Sequence, residues 1–353
     1  MIVEELATRL VEYQAEKPYR VLLILGIVTA MIVPGMLQLQ IKPSTEAILP
    51  KDDPVVESLD TLRAKFGGDT TYIVIQGKND LRNRETMQKL LRIENRVLRS
   101  QNVVSVISPA SMLEKRYGRI PLDQDKLESF SYGSLMDDDY RTAIISVRAD
   151  TQAKSGEIKN LFNNIKLAVE AEMPGTGYYL TGYNMINLAT FQVIISDFIR
   201  ITAVSFTAVL GVLFLVFRDL KRMLLPMTPV ILALVWMLCL GGYLGADLTI
   251  ISMVSAAMIM GLGIDFGIHV TKKYFSTKRG AEGMSETMTE LSRGLLGGST
   301  TTGVGFLALL AANLSGMHAL GIFLFTGIMS AYIGAVFLLP TLIMLVDGAE
   351  PVA

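Results

Sequence analysis

Asp265 and His269 stand four residues apart in "MGLGIDFGIHVTKKY" (260–274), a run that is otherwise apolar until its lysines. Residues at that spacing share one face of a helix, so the two side chains would form a short column of titratable groups. Out of water a carboxyl favours its neutral form, and imidazole gains or loses a proton near neutral pH. The chemistry such a column offers is proton relay. A second polar cluster, Ser299, Thr300, Thr301 and Thr302 in "GGSTTTG", supplies hydroxyls that can hydrogen-bond either protonation state of an acid. Gly261, Gly263 and Gly267 surround the acid. Gly263 and Gly267 form a small-xxx-small pair that lets helices approach closely, which predicts that Asp265 faces a helix interface.

Whether that column lies out of water depends on the elements that carry it. Of 353 residues, 51% are hydrophobic and 18% charged, below the roughly 25% charge of ordinary globular domains. A net charge of −1 offers no electrostatic case for nucleic acid. One cysteine and two histidines leave no disulfide framework and no metal-ligand set, and no nucleophile–base grouping or phosphate-binding loop rises above chance; "GLGIDFG" misplaces its third glycine and follows no strand. No enzyme, cofactor or metal is expected.

A membrane-crossing helix needs roughly 20 apolar residues. Six segments meet this, at about 19–39, 198–217, 223–245, 248–270, 294–312 and 319–346, the fifth interrupted by its hydroxyl run. The first is too long, and lacks the small-x-small site, for a cleaved signal peptide. Basic residues gather between spans two and three (Arg218, Lys221, Arg222) and between four and five (Lys272, Lys273, Lys278, Arg279, Arg293), while the short opposite connections at 246–248 and 313–318 carry none. The positive-inside rule then places both termini in the cytoplasm and residues 40–197 outside the cell membrane. Residues 1–18 read as a cytoplasmic interfacial helix with Val3, Leu6, Leu10 and Tyr13 on its apolar side, and 347–353 as a cytoplasmic tail. Asp247 and His318 read as interfacial, Asp247 as a cap for span four. At a 1.5 Å rise, Asp265 would lie about 25 Å below the outer end of span four, about 8 Å above its inner end, and level with Ser299.

Within 40–197 the pattern is strand (70–77), helix (83–100), strands (102–108 and 141–150), helix (155–173) and strand (177–182). That βαββαβ order predicts an α+β, ferredoxin-like domain, with 109–134 as an insertion able to act as a mobile flap, a partner surface or simply a loop.

Several stretches resemble one known superfamily. "ILPKDDPVVESLDTLRAKFGGDTTYIVIQG", "LTGYNMINLATFQVIISDF" and above all "GLGIDFGIHVTKKY" are similar to half of an RND-superfamily transporter, of the lipid, MmpL-like or hydrophobe/amphiphile-exporting branch. The resemblance covers nearly the whole chain. It implies a six-span α-helical membrane protein with one extracytoplasmic porter-type domain between spans one and two, and it gives Asp265 the family's proton-relay position. Two departures stand out: full-length relatives join two such halves, and here Phe266 follows Asp265 where drug-efflux members carry a second acid.

The expected function is proton-motive-force-driven export of a hydrophobic or amphiphilic, lipid-like molecule. His269 would be an inner proton exit or an interfacial histidine. A single half implies a two-fold homodimer with span four near the axis, or a covalent second half in a longer chain. No outer-membrane channel is expected. The rivals are a sterol-sensing-type receptor or scaffold, and a SecD/SecF-like helper of protein translocation.

Overall fold

A computed structural model describes residues 2–42, 44–50, 53–66, 68–149 and 155–347, and the expected tail at 348–353 lies outside them. In chain order the helices are α1 (Ile2–Glu16), α2 (Pro18–Ile32), α3 (Pro54–Phe66), α4 (Arg84–Leu98), α5 (Pro109–Tyr117), α6 (Gln124–Glu128) and α7 (Ser155–Glu172). They continue as α8 (Tyr183–Phe217), α9 (Leu220–Leu224), α10 (Met227–Tyr243), α11 (Ser255–Ser276), α12 (Gly280–Leu307), α13 (Ser315–Ile333) and α14 (Leu339–Asp347). The strands are β1 (Asp69–Gln76), β2 (Val103–Ile107), β3 (Thr142–Ala149) and β4 (Gly177–Gly182). The chain divides into two compact units, one of residues 1–51 with 193–353, the other of residues 52–192. The boundaries fall inside the 40–197 expected from composition, because 40–42 bond to the helical unit: Leu248 N donates to Gln40 O at 2.8 Å and Lys42 N to Leu248 O at 3.0 Å.

In the smaller unit the four strands form one antiparallel sheet in the order β2-β3-β1-β4. Alternation places Ile73 and Ile75 of β1 and Ala143, Ile145 and Val147 of β3 on one buried face. Asn83 caps α4 by accepting from Thr86 N, and the 3.6-residue stripe Met87, Leu90, Ile93 and Val97 covers that face. Sequence periodicity missed α3, whose apolar residues repeat weakly. The insertion is not a free flap. Leu113, Ile120, Leu127 and Tyr132 enter the same core, and the Tyr132 hydroxyl donates to Leu127 O at 2.8 Å. Four apolar anchors within twenty residues bind it to the domain.

Among the described residues of the chain, six helical stretches are long and apolar enough to cross a membrane: Pro18–Gln38, Tyr183–Phe217, Arg222–Tyr243, Ser252–Ser276, Gly280–Ala311 and Ser315–Asp347. Pro226 precedes α10 and Pro229 sits in its first turn, where a missing N–H is harmless. The last stretch contains a π-helical turn, Gly334–Leu338. α1 packs one side on the helical unit. Ala7, Val11 and Gln14 are buried in the bundle, Arg293 pairs with Glu4 at 3.0 Å, and Leu6 and Tyr13 point outward.

Candidate functional site

The span that includes α11 begins at Ser252, later than the apolar run suggests, because Ser252 Oγ accepts from Thr249 N and donates to Asp247 O in a preceding turn. Asp265 therefore has roughly 20 Å of helix on one side and roughly 16 Å on the other, which places it near mid-span rather than toward one end. The same shift removes Asp247 from the capping position. Its carboxylate instead pairs with Lys42 Nζ at 2.6 Å. His318 Nε2 lies 2.6 Å from Ala312 O.

Helix geometry separates the acid from two of its glycines. At about 100° per residue, Asp265 lies roughly 200° from both Gly263 and Gly267, on the other side of α11. A Cβ on Gly267 would meet Pro226 O at 2.5 Å, and one on Gly263 would meet Ala331 Cβ at 3.1 Å. These two positions pack α11 against its neighbours. Gly261, by contrast, has open space around it. Gly261, Asp265 and His269 share a face that is exposed in the single chain, and neither titratable group has a hydrogen-bond or ion-pair partner among the described residues. The small-xxx-small pair therefore does not mark the face that carries the acid: Gly263 and Gly267 pack within this bundle, and Asp265 points away from that contact.

The hydroxyl cluster does not bond to the acid either. Ser299 Oγ donates to Leu296 O at 3.1 Å and Thr300 Oγ1 to the same carbonyl at 2.6 Å. Thr301 Oγ1 donates to Gly297 O at 2.8 Å and to Gly298 O at 3.1 Å. Hydroxyls within a helix have their own i−3 and i−4 carbonyls in reach, and here those carbonyls win. Ser299 is buried, Thr302 half-buried, and Thr300 and Thr301 exposed.

Depth is another matter. Thr277 Oγ1 lies 3.4 Å from Thr287 Oγ1, and Lys273 pairs with Glu290. Carried residue for residue along the antiparallel pair α11 and α12 at equal rise, that register sets Ser299 opposite Asp265. The α12 face beside it is small throughout: Gly294, Gly297, Gly298 and Gly305 each have open space where a Cβ would be.

Two features escaped the sequence. Tyr274, fully buried, donates to Asp347 Oδ2 at 2.7 Å and accepts from Gly280 N at 3.0 Å, while Arg279 pairs with Asp347 at 3.2 Å. This knot ties the ends of α11 and α14 to the start of α12, and no periodicity announces it. Near the other end, an apolar cavity of about 160 Å³ lies among α8, α10 and α11. Met36, Phe198, Leu234, Met237 and Ala256 line it with Thr202, whose Oγ1 is buried without a partner among the described residues.

The profile of the MMPL family matches residues 47–352. A membrane protein of Methanocaldococcus jannaschii, MJ1562, is 25% identical over 370 aligned positions, 98% of this chain and 95% of that protein.

Proposed function

We propose, from the premise that this chain belongs to the MMPL family and is a multi-pass membrane transporter of the RND type, that it couples inward proton flow to the export of a hydrophobic or amphiphilic molecule. The observation that carries this reading is Asp265, a carboxyl near the middle of a membrane-length helix with no hydrogen-bond or ion-pair partner among the described residues of its own chain. An ionisable side chain at mid-bilayer costs about 2.5–3.5 kcal/mol even on the gentler insertion scales. A purely structural acid would be paired inside the bundle. This one faces outward between an open glycine and a histidine.

Such a face is untenable against acyl chains, so a second bundle covers it. A homodimer about an axis beside α11 brings two Asp265 and the small-residue side of α12 together. In that assembly the hydroxyls of Ser299, Thr300, Thr301 and Thr302 stand at the depth of the acids. His269, about one turn toward the cytoplasm, is the next proton acceptor. Proton entry from a polarised membrane supplies about 2.3 kcal/mol per 100 mV.

The positive-inside pattern supports cytoplasmic termini and an extracytoplasmic 52–192 unit. The skipped-strand order of its sheet supports reading that unit as a ferredoxin-like porter module. The apolar cavity beside Thr202 suits an acyl chain or another apolar tail, which favours a lipid-like cargo.

Reconstituted vesicles with an internal pH dye test the reading. Wild type shows proton movement that depends on an added amphiphile, and Asp265→Asn abolishes both fluxes. Amphiphile-driven proton movement that survives in Asp265→Asn removes Asp265 from the mechanism. Binding without any flux in wild type replaces transport by the receptor reading.

A further inference from the structure

Two adjoining concavities of about 450 and 390 Å³, sharing Gln101 and Asn164, form one cleft in the smaller unit between the end of α4 and α7. Its walls carry Arg96 from the last turn of α4, Arg99 just after that helix, and Asn160, Asn163 and Asn164 from α7, with Gln101 at the turn between α4 and β2. Asn102, at φ 66°, holds that turn in the left-handed region that asparagine tolerates.

Three properties set this cleft apart from an ordinary wetted helix face. Among the described residues it contains no carboxylate, in a chain whose acidic and basic residues nearly balance at −1. Arg96 and Arg99 have no ion pair among the described residues, whereas Arg92 one turn earlier pairs with Glu172. And α7 places three asparagines at i, i+3 and i+4, a residue type that weakens helices, with no hydrogen bond from these side chains among the described residues to compensate.

The geometry points to a binding site for a phosphorylated polyol, such as a phosphoglycerol group. Two guanidinium forks match phosphate oxygens, and carboxamides, each donor and acceptor, match hydroxyls. An anion alone would not require the asparagines, and a neutral sugar would not require two unpaired arginines. The same chemistry occurs on a lipid headgroup and on a free metabolite, and the inference stands apart from proton coupling at Asp265.

Calorimetric titration of the full chain in uncharged detergent tests it with four probes: sn-glycerol 3-phosphate, dihexanoyl phosphatidylglycerol below its micelle concentration, dihexanoyl phosphatidylcholine and inorganic phosphate. One or both phosphoglycerol probes bind, phosphatidylcholine and phosphate more weakly. Arg96→Gln with Arg99→Gln weakens binding about tenfold or more. Asn163→Ala with Asn164→Ala weakens it severalfold while leaving the thermal midpoint unchanged or higher, since alanine favours the helix. Equal binding of both phosphoglycerol probes identifies a free metabolite as sufficient, and binding of the lipid alone identifies a headgroup. No binding, equal binding of inorganic phosphate, or indifference to either double substitution overturns the site.

Discussion

Gln14 Nε2 donates to Val336 O at 3.0 Å and to Phe337 O at 3.3 Å, tying the first helix to the π-turn of the last span. A π-turn displaces backbone carbonyls from their usual partners, and a fully buried amide on α1 takes them up. Gln14→Leu leaves the Val336 carbonyl without this donor and is expected to lower stability by about 1–3 kcal/mol. Thermal unfolding in detergent measures it. An unchanged midpoint would show that the contact holds nothing in place.

The outward face of α11 makes a cross-linking prediction. Cys239 is the only cysteine and is buried, so Cys239→Ala gives a clean background. Gly261→Cys, on the open face, should then form a disulfide between two copies on mild oxidation in vesicles, doubling the apparent mass on a non-reducing gel. Ile264→Cys, which is buried inside one bundle, should not. A monomeric Gly261→Cys under all oxidants would remove the proposed axis.

The glycines of α11 and α12 should separate into two classes. Gly267→Ala drives a methyl group to within 2.5 Å of a backbone oxygen of Pro226, a clash expected to cost about 1–3 kcal/mol. Gly298→Ala meets nothing in its own chain and gains up to about 1 kcal/mol of helix propensity, while blocking close approach of a second copy. Thermal midpoints read the first effect, and the dimer fraction by light scattering reads the second.

Glu94 predicts a pH response in the smaller unit. Its Oε2 accepts from the Ser108 hydroxyl, which also caps α5. Burial pushes its carboxyl above the ordinary value of 4.5, helped by the charge of Glu114, although hydrogen bonds from Ser108 and Ser111 oppose the rise. A raised folded value means that the stabilisation is complete below the unfolded value and is lost as pH rises through the folded one. Hydrogen exchange of α5 amides, corrected for intrinsic rates, should show protection falling across that window. In Glu94→Gln the protection should be flat. A slope that persists in Glu94→Gln would assign the response to another group.

By itself the sequence determined what depends on local period and on composition. Six apolar runs gave the spans, and alternation at 70–77 and 141–150 gave two strands within a residue or two of β1 and β3. The resemblance in "GLGIDFGIHVTKKY" pointed to the family that the profile match supports. Helical rise alone placed Asp265 and Ser299 at one depth, and extending the Thr277–Thr287 register along α11 and α12 sets them opposite each other as well. Which way a side chain points was decided only in three dimensions. Gly263, Asp265 and Gly267 are near neighbours in the chain, yet α11 sends the glycines to Pro226 and Ala331 and the acid outward, because a helix turns about 100° per residue and one face must be chosen for packing. The choice rests on volumes supplied by α10 and α13, some 35 to 70 positions away. No local pattern in α11 encodes those volumes, nor the tie of Gln14 to a carbonyl 322 residues distant.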